Sequence, residues 1–399
     1  MIGGTRMETL KNIIGLLIRK NREKLGLKQG YLCKGICSIS YLSKIEKGNI
    51  VPSEEISRML FDRLDINFNN DVKFIEKGKK TLDDISSSNY FGMPVKVELL
   101  EEVRSDRSLY LNSILNIDYQ LFELFDQLYQ LKSTDILEYK EYMNNDQLHK
   151  AYLITGFINE DIELLEEAKK IKYTAEVINQ MGLIKWFDGK YYEAIELFLE
   201  ALNLAYNEGC IKLQIDICMV LGHIYMDFHL PTMKKYYDKA LLLSKFINNY
   251  DIDYLIYYHM GVAYLSTDFI KSEVYLLKAL DLCLTDKFDS LEKIYQKLCF
   301  LYLRYDTKED AKIYYENAIK LNNLKTVNEL IKIMIRSKNY INSEEYLNKL
   351  IDIYTTSKTH NKFSNTKFYG DFLIDAYKAN RKYKDALLVT EYLYSNIRK

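Results

Sequence analysis
Four stretches of this chain share one arrangement of small and aromatic residues. That recurrence limits the folds open to it more than any other feature. "MGLIKWFDGKYYEAIELFLEAL" (181–202) places Gly182, Gly189, Tyr191, Ala194, Phe198 and Ala201 where two antiparallel helices would meet. "LGHIYMDFHLPTMKKYYDKAL" (221–241) repeats it with Gly222, Tyr225, Tyr237 and Ala240, and residues 260–280 with Gly261, Tyr264 and Ala279. Residues 298–319 follow with Tyr302, Ala311, Tyr315 and Ala318. Weaker copies lie at 324–353 and 367–394, the latter with Tyr377, Tyr383 and Ala386. The anchors recur every 38 to 40 residues. One helix pair cannot bury its apolar face alone, so such pairs stack into a solenoid with a concave surface. Only 3 prolines and 16 glycines among 399 residues permit helices throughout. The expected class is all-α, with degenerate repeats at 99–131 and 135–171.

The N-terminal part differs. Residues 1–66 carry a net charge of +5 and the remainder −6, the pattern of a small head that meets a polyanion. Leu10, Ile13, Ile14, Leu17 and Ile18 have helical spacing, and Gly26 ends that helix. A short helix near Gln29–Lys34, the turn "GICS" and an Ser38-capped helix Ile39–Lys47 follow. Leu42 and Ile45 face inward, Gly48 stops the helix, and Ser53 caps the next. This is a helix-turn-helix arrangement. It is assigned to residues 7–66, a linker to 67–95 and the repeat body to 96–399. No apolar run is long enough to span a bilayer and no signal peptide is visible, so a cytoplasmic location is expected. The six cysteines lack zinc spacing and read as small hydrophobes. The five histidines form no HExxH, and no P-loop or GxSxG occurs. No cofactor, metal or enzymatic activity is expected.

"S-x-L-S-K-I-E-x-G-x-x-x-P-S" within residues 38–53 resembles the Xre/Cro helix-turn-helix. Its shortened turn resembles the PlcR-like branch of the peptide-responsive RRNPP regulators. By similarity to phage repressors, Ile39, Ser40 and Lys44 take base-reading positions, and Gln29, Ser38 and Lys47 phosphate-contacting ones. Tyr41 and Ser43 share the outward face. Lys44 suits guanine O6/N7 and Ile39 a thymine methyl. Glu46 reads as a structural residue, because phosphate repels a carboxylate.

The body resembles tetratricopeptide domains, in which the first helix of each pair lines the concave face. That register turns Asn179, Leu183 and Trp186 inward, then His223, then Tyr258 and Val262. Gln296, Phe300 and Arg304 follow, then Asn328, Lys332 and Arg336. Asn and Gln amides can pair with an extended peptide backbone, and the arginines with a carboxylate. As the resemblance implies, the partners are double-stranded DNA, a short signalling peptide and a second copy of the chain. The alternative is a protein partner such as a response regulator of the sporulation phosphorelay. The codon bias read from Tyr, Asn, Ile and Lys suits the clostridial RstA-type sporulation and toxin regulators of that family.

Overall fold
The computed structural model describes residues 2–128, 131, 133–247, 252–286, 290–321, 323–359 and 363–398. The side chains of residues 2–12, 286, 363, 364 and 395–398 lie outside that description, Leu10 among them, as does His360. Every regular element among the described residues is a helix. The chain divides into two compact units, Met1–Ile184 with Leu199–Leu213, and Lys185–Phe198 with Gln214–Lys399.

The first unit opens with α1 (Ile2–Lys24), α2 (Gln29–Leu32), α3 (Ile39–Glu46) and α4 (Glu54–Arg63). Ser38 Oγ accepts from the Tyr41 N–H at 3.1 Å and Ser53 Oγ from the Ile56 N–H at 3.3 Å, so both expected caps form. Gly26, Gly35 and Gly48 all take positive φ, which lets three tight turns follow one another in under 25 residues. Ile13, Ile14, Leu17 and Ile18 are buried with Leu42 and Ile45.

Residues 67–95, expected to be a linker, hold a 20-residue helix, α5 (Val72–Phe91). Asp71 caps it, Gly92 in the left-handed region ends it, and Ile75, Leu82 and Ile85 are buried with Val103 and Tyr110. Ser86, Ser87 and Ser88 lie inside the helix, with Ser86 and Ser87 on its exposed side. Next come α6 (Val97–Ser105), α7 (Arg107–Leu111) and α8 (Asn116–Asp126). A 3₁₀ turn (Ile136–Tyr142), α9 (Asn145–Ile158) and α10 (Ile162–Ile171) follow. Ile117, Leu121, Ile136, Tyr142, Ala151 and Ile154 from these elements share one core with α1, α3 and α4. The compact units therefore do not follow the head, linker and body boundaries read from the sequence.

Three helices contribute residues to both units: α11 (Ala175–Phe187), α12 (Tyr191–Asn207) and α13 (Ile211–Tyr225). The second unit continues through α14 (Leu230–Ser244), α15 (Asp253–Tyr264), α16 (Phe269–Asp286), α17 (Leu291–Arg304) and α18 (Lys308–Leu321). It ends with α19 (Lys325–Arg336), α20 (Glu344–Thr359), α21 (Phe363–Ala379) and α22 (Tyr383–Arg398). The repeat anchors explain the packing. A Cβ on Gly261 would come 2.6 Å from Leu276 Cγ, and one on Gly222 would enter the Tyr237 ring. Ala240, Ala279 and Ala318 are fully buried. Cys299 takes the glycine's place in the fourth copy, and its thiol donates to the Ala311 carbonyl at 3.4 Å.

The turns inside the pairs also repeat. Glu160, Gly189, Asp306 and Arg381 have φ of 53°, 76°, 60° and 58°. In each turn the following N–H reaches back five residues, as Thr307 does to the Tyr302 carbonyl at 2.8 Å. This is a Schellman closure, and only one of the four positions uses glycine.

Candidate DNA-reading helix and ligand groove
The face of α3 is sorted by a buried carboxylate. Glu46 accepts from Arg22 Nε at 2.6 Å, from Arg22 Nη2 at 2.9 Å and from Gln29 Nε2 at 2.7 Å. The side chains of Arg22 and Glu46 are 12% and 4% exposed. Hydrogen bonding to Glu46 raises the Arg22 pKa above its ordinary value. Glu46 is thus structural, as its chemistry suggested. Gln29, expected at a phosphate, spends its amide nitrogen inside the head. Arg63 donates to the carbonyls of Leu32 and Lys34 at 2.8 and 2.7 Å, which fixes the turn leading to α3.

With those groups tied inward, Ser38, Ile39, Ser40, Lys44 and Lys47 are exposed, and Tyr41 and Ser43 half-buried. Ile39, 56% exposed at the N-terminal end of α3, presents an apolar surface of the kind that suits a thymine methyl. The other end of α3 is held by the rest of the unit. The Tyr142 hydroxyl donates to the Glu46 carbonyl at 2.8 Å, and Arg19 donates to that hydroxyl at 3.3 Å. Lys20 lies over the Tyr139 ring, 4.4 Å from its centroid.

The residues chosen for the groove fall into distinct settings. In the first unit, Asn179 is buried and makes no side-chain hydrogen bond among the described residues, and Leu183 is half-buried. Gln180 beside it keeps a buried Oε1 without a partner. Glu176, one turn earlier, is half-exposed, yet desolvation pushes its pKa up to about 7.

In the second unit, Trp186, His223 and His259 form a row of edge-to-face rings at 5.7 and 5.1 Å, with Tyr258 against His259 at 5.4 Å. Val262 is half-buried on the same helix. Desolvation pushes the His259 pKa down to about 3 and lowers that of His223, although both rings keep part of their surface open. Gln296 and Asn328 are spent on each other: Gln296 donates to Asn328 at 2.9 Å, and Asn328 donates to Glu292 at 2.9 Å. Glu292 also accepts the N–H groups of Asn323 and Leu324, closing the start of α19. Phe300 is covered by Phe368, Tyr369 and Phe372 of α21. Arg304 lies 3.9 Å from Asp375 and over the Phe372 ring. Lys332 and Arg336 are exposed.

Sequence reasoning missed Lys297, at the same repeat place as His259 and Gln180, and missed the aromatic face of α21. The first was readable from the repeat register; the second was not, because its partners lie some 70 residues away.

Residues 18–69 match the family described as helix-turn-helix. The head is a helix-turn-helix domain. Over most of its length the chain resembles the transcriptional activator NprA of Geobacillus stearothermophilus, at 23% identity over 91% of this chain and 93% of that protein. A shorter match, 36% identical over 78 residues, covers 18% of this chain and 45% of the uncharacterized protein ycf37 of Porphyra purpurea. Among solved structures, Bacillus thuringiensis PlcR in complex with the peptide PapR7 and DNA matches at 16% identity. That match covers 81% of this chain and 99% of that one, with a TM-score of 0.22. The resemblance to RRNPP regulators thus stands on a helix-turn-helix head and a relative matched over nearly its whole length.

Proposed function
We propose that this chain is a sequence-specific DNA-binding transcription regulator that works as a dimer in the cytoplasm. Its helical body binds a short signalling peptide and thereby controls the two heads. The observation that carries the DNA half is the sorted face of α3. Ile39, Ser40 and Lys44 stand free at its exposed side while Glu46 is held within the fold. Ser38 and Lys47 flank that face at phosphate height, and two-fold-related heads would read half-sites about 34 Å apart or a multiple of it. The peptide half is supported by the partly open row Trp186–His223–His259–Tyr258 of the second unit. A peptide shifts the heads only through different affinity for two body states. Among the described residues, no helix is long and apolar enough to cross a membrane.

The test is fluorescence anisotropy of the full chain on its own upstream DNA and on scrambled DNA at fixed salt. Lys44→Ala is expected to lose the preference between the two. Lys47→Ala is expected to weaken both alike and flatten the salt dependence. Equal effects of both substitutions on every sequence would remove α3 from base reading.

A further inference from the structure
Lys297, on α17, is 5% exposed. Its Nζ lies 3.2 Å from the centroid of the Phe368 ring, 5.1 Å from that of Tyr369 and 5.6 Å from that of Phe300. Among the described residues it makes no ion pair and no side-chain hydrogen bond. The carboxylates of α17 and α21 and the one paired with them are committed elsewhere: Asp227 and Asp371 pair with Lys367 at 3.2 and 3.4 Å, Asp375 faces Arg304, and Glu292 accepts from Asn328 and two backbone N–H groups. Ring faces offset only part of what an ammonium loses on leaving water. Burial accordingly pushes its pKa down to about 7. Lys297 is thus a buried cation among ring faces, without a counter-charge among the described residues. Tyr258 of the partly open row packs against the same apolar cluster as Tyr369.

We propose that Lys297 recognises an anionic group of the ligand: a carboxylate flanked by apolar side chains replaces the aromatic face of α21 as the partner of the ammonium. A single ammonium offers one positive charge and three donors, which one carboxylate neutralises in a site otherwise lined by rings. The contact that the carboxylate displaces joins α17 to α21, so the same event loosens α21 from Phe300. This inference rests on the reading of the body as a peptide receptor.

The experiment is affinity selection with the full-length protein from three heptapeptide pools of matched composition, read by mass spectrometry. One pool has free C-termini and no Asp or Glu. The second is the same but amidated. The third is amidated with one Glu per peptide. Wild type is expected to retain the first or the third at least about tenfold over the second, the effect of one charge-assisted hydrogen bond. Which of the two it retains separates a terminal from a side-chain carboxylate. Lys297→Met is expected to erase the preference and Lys297→Arg to keep it. Equal retention of charged and uncharged pools by wild type, or an unchanged preference in Lys297→Met, overturns the proposal alone. Retention of no pool overturns the peptide reading and this proposal together. Should Lys297→Met not fold, the wild-type comparison still decides whether a carboxylate is read.

Discussion

Glu46→Ala tests the claim that one buried carboxylate sorts the face of α3. The substitution leaves the Arg22 guanidinium, with a side chain 12% exposed, without its bidentate partner, and the Gln29 amide without its acceptor. Breaking a buried ion pair by removing one partner costs about 3 to 5 kcal/mol. Arg22 keeps its 2.9 Å bond to the Leu27 carbonyl, so the lower end, about 3 kcal/mol, applies. At 1.4 kcal/mol per decade this is about 150-fold in a local opening equilibrium. The assay is amide hydrogen exchange by mass spectrometry on the full chain, following peptides that cover α3, with α17 and α18 as internal reference. The expected result is exchange about two orders of magnitude faster in α3 and unchanged in the reference helices. The double variant Arg22→Met/Glu46→Leu removes both charges and is expected to recover most of the protection. Acceleration below about fivefold in Glu46→Ala, or a double variant as labile as the single, would refute the assignment.

Gly15→Ala would drive a Cβ into the carbonyl oxygen of Ile45 and bring it within 3.2 Å of Glu46 O and Gly48 N, all backbone. Separating α1 from α3 is expected to cost about 1 to 3 kcal/mol and weaken binding to specific DNA; unchanged melting and unchanged anisotropy would contradict this. Arg381, at φ 58°, holds a left-handed conformation that glycine adopts without strain. Arg381→Gly is expected to stabilise by about 0.5 to 1 kcal/mol and Gly189→Ala to destabilise, shifts of the same sign in thermal unfolding being the contrary result. His259, with its pKa pushed down to about 3, stays neutral in the fold while the unfolded chain takes up a proton near pH 6.5. Its contribution is therefore fully present above pH 6.5 and is lost as the pH falls from there towards 3. Fluorescence of Trp186, the one tryptophan, reports it, and a His259→Phe variant with the same acid slope would remove His259 as the cause.

Where a signal lay within one helix or one turn, it was legible. Ser38 and Ser53 cap as read, Gly48 stops α3, and Gly222 and Gly261 sit where a partner helix leaves no room for a Cβ. Five of the six cysteines are buried, as expected for small apolar side chains. Where the deciding partner is distant in sequence, the reading ran out. Asn328 looks free until Glu292 and Gln296 are placed beside it, 36 and 32 residues earlier. Gln29 looks like a phosphate ligand until Glu46 turns inward. Residues 67–95 read as a linker, yet Ile75, Leu82 and Ile85 have the spacing of one helix face, and their burial outweighs the low helix propensity of Ser86 and Ser87.

The bond from Tyr142 to the Glu46 carbonyl spans 96 residues. A head hung on a flexible tether can be exchanged between bodies like a tool on a handle. Here the C-terminal end of α3 finishes on a hydroxyl supplied from far along the chain, and the core under α1 is completed by Ile117, Ile136 and Ala151. Residues 1–66 moved to another body would arrive with an orphaned carbonyl and an uncovered apolar flank. A head so built is expected to be changed by substitution along the outer side of α3 more readily than by transplantation of residues 1–66 as a block.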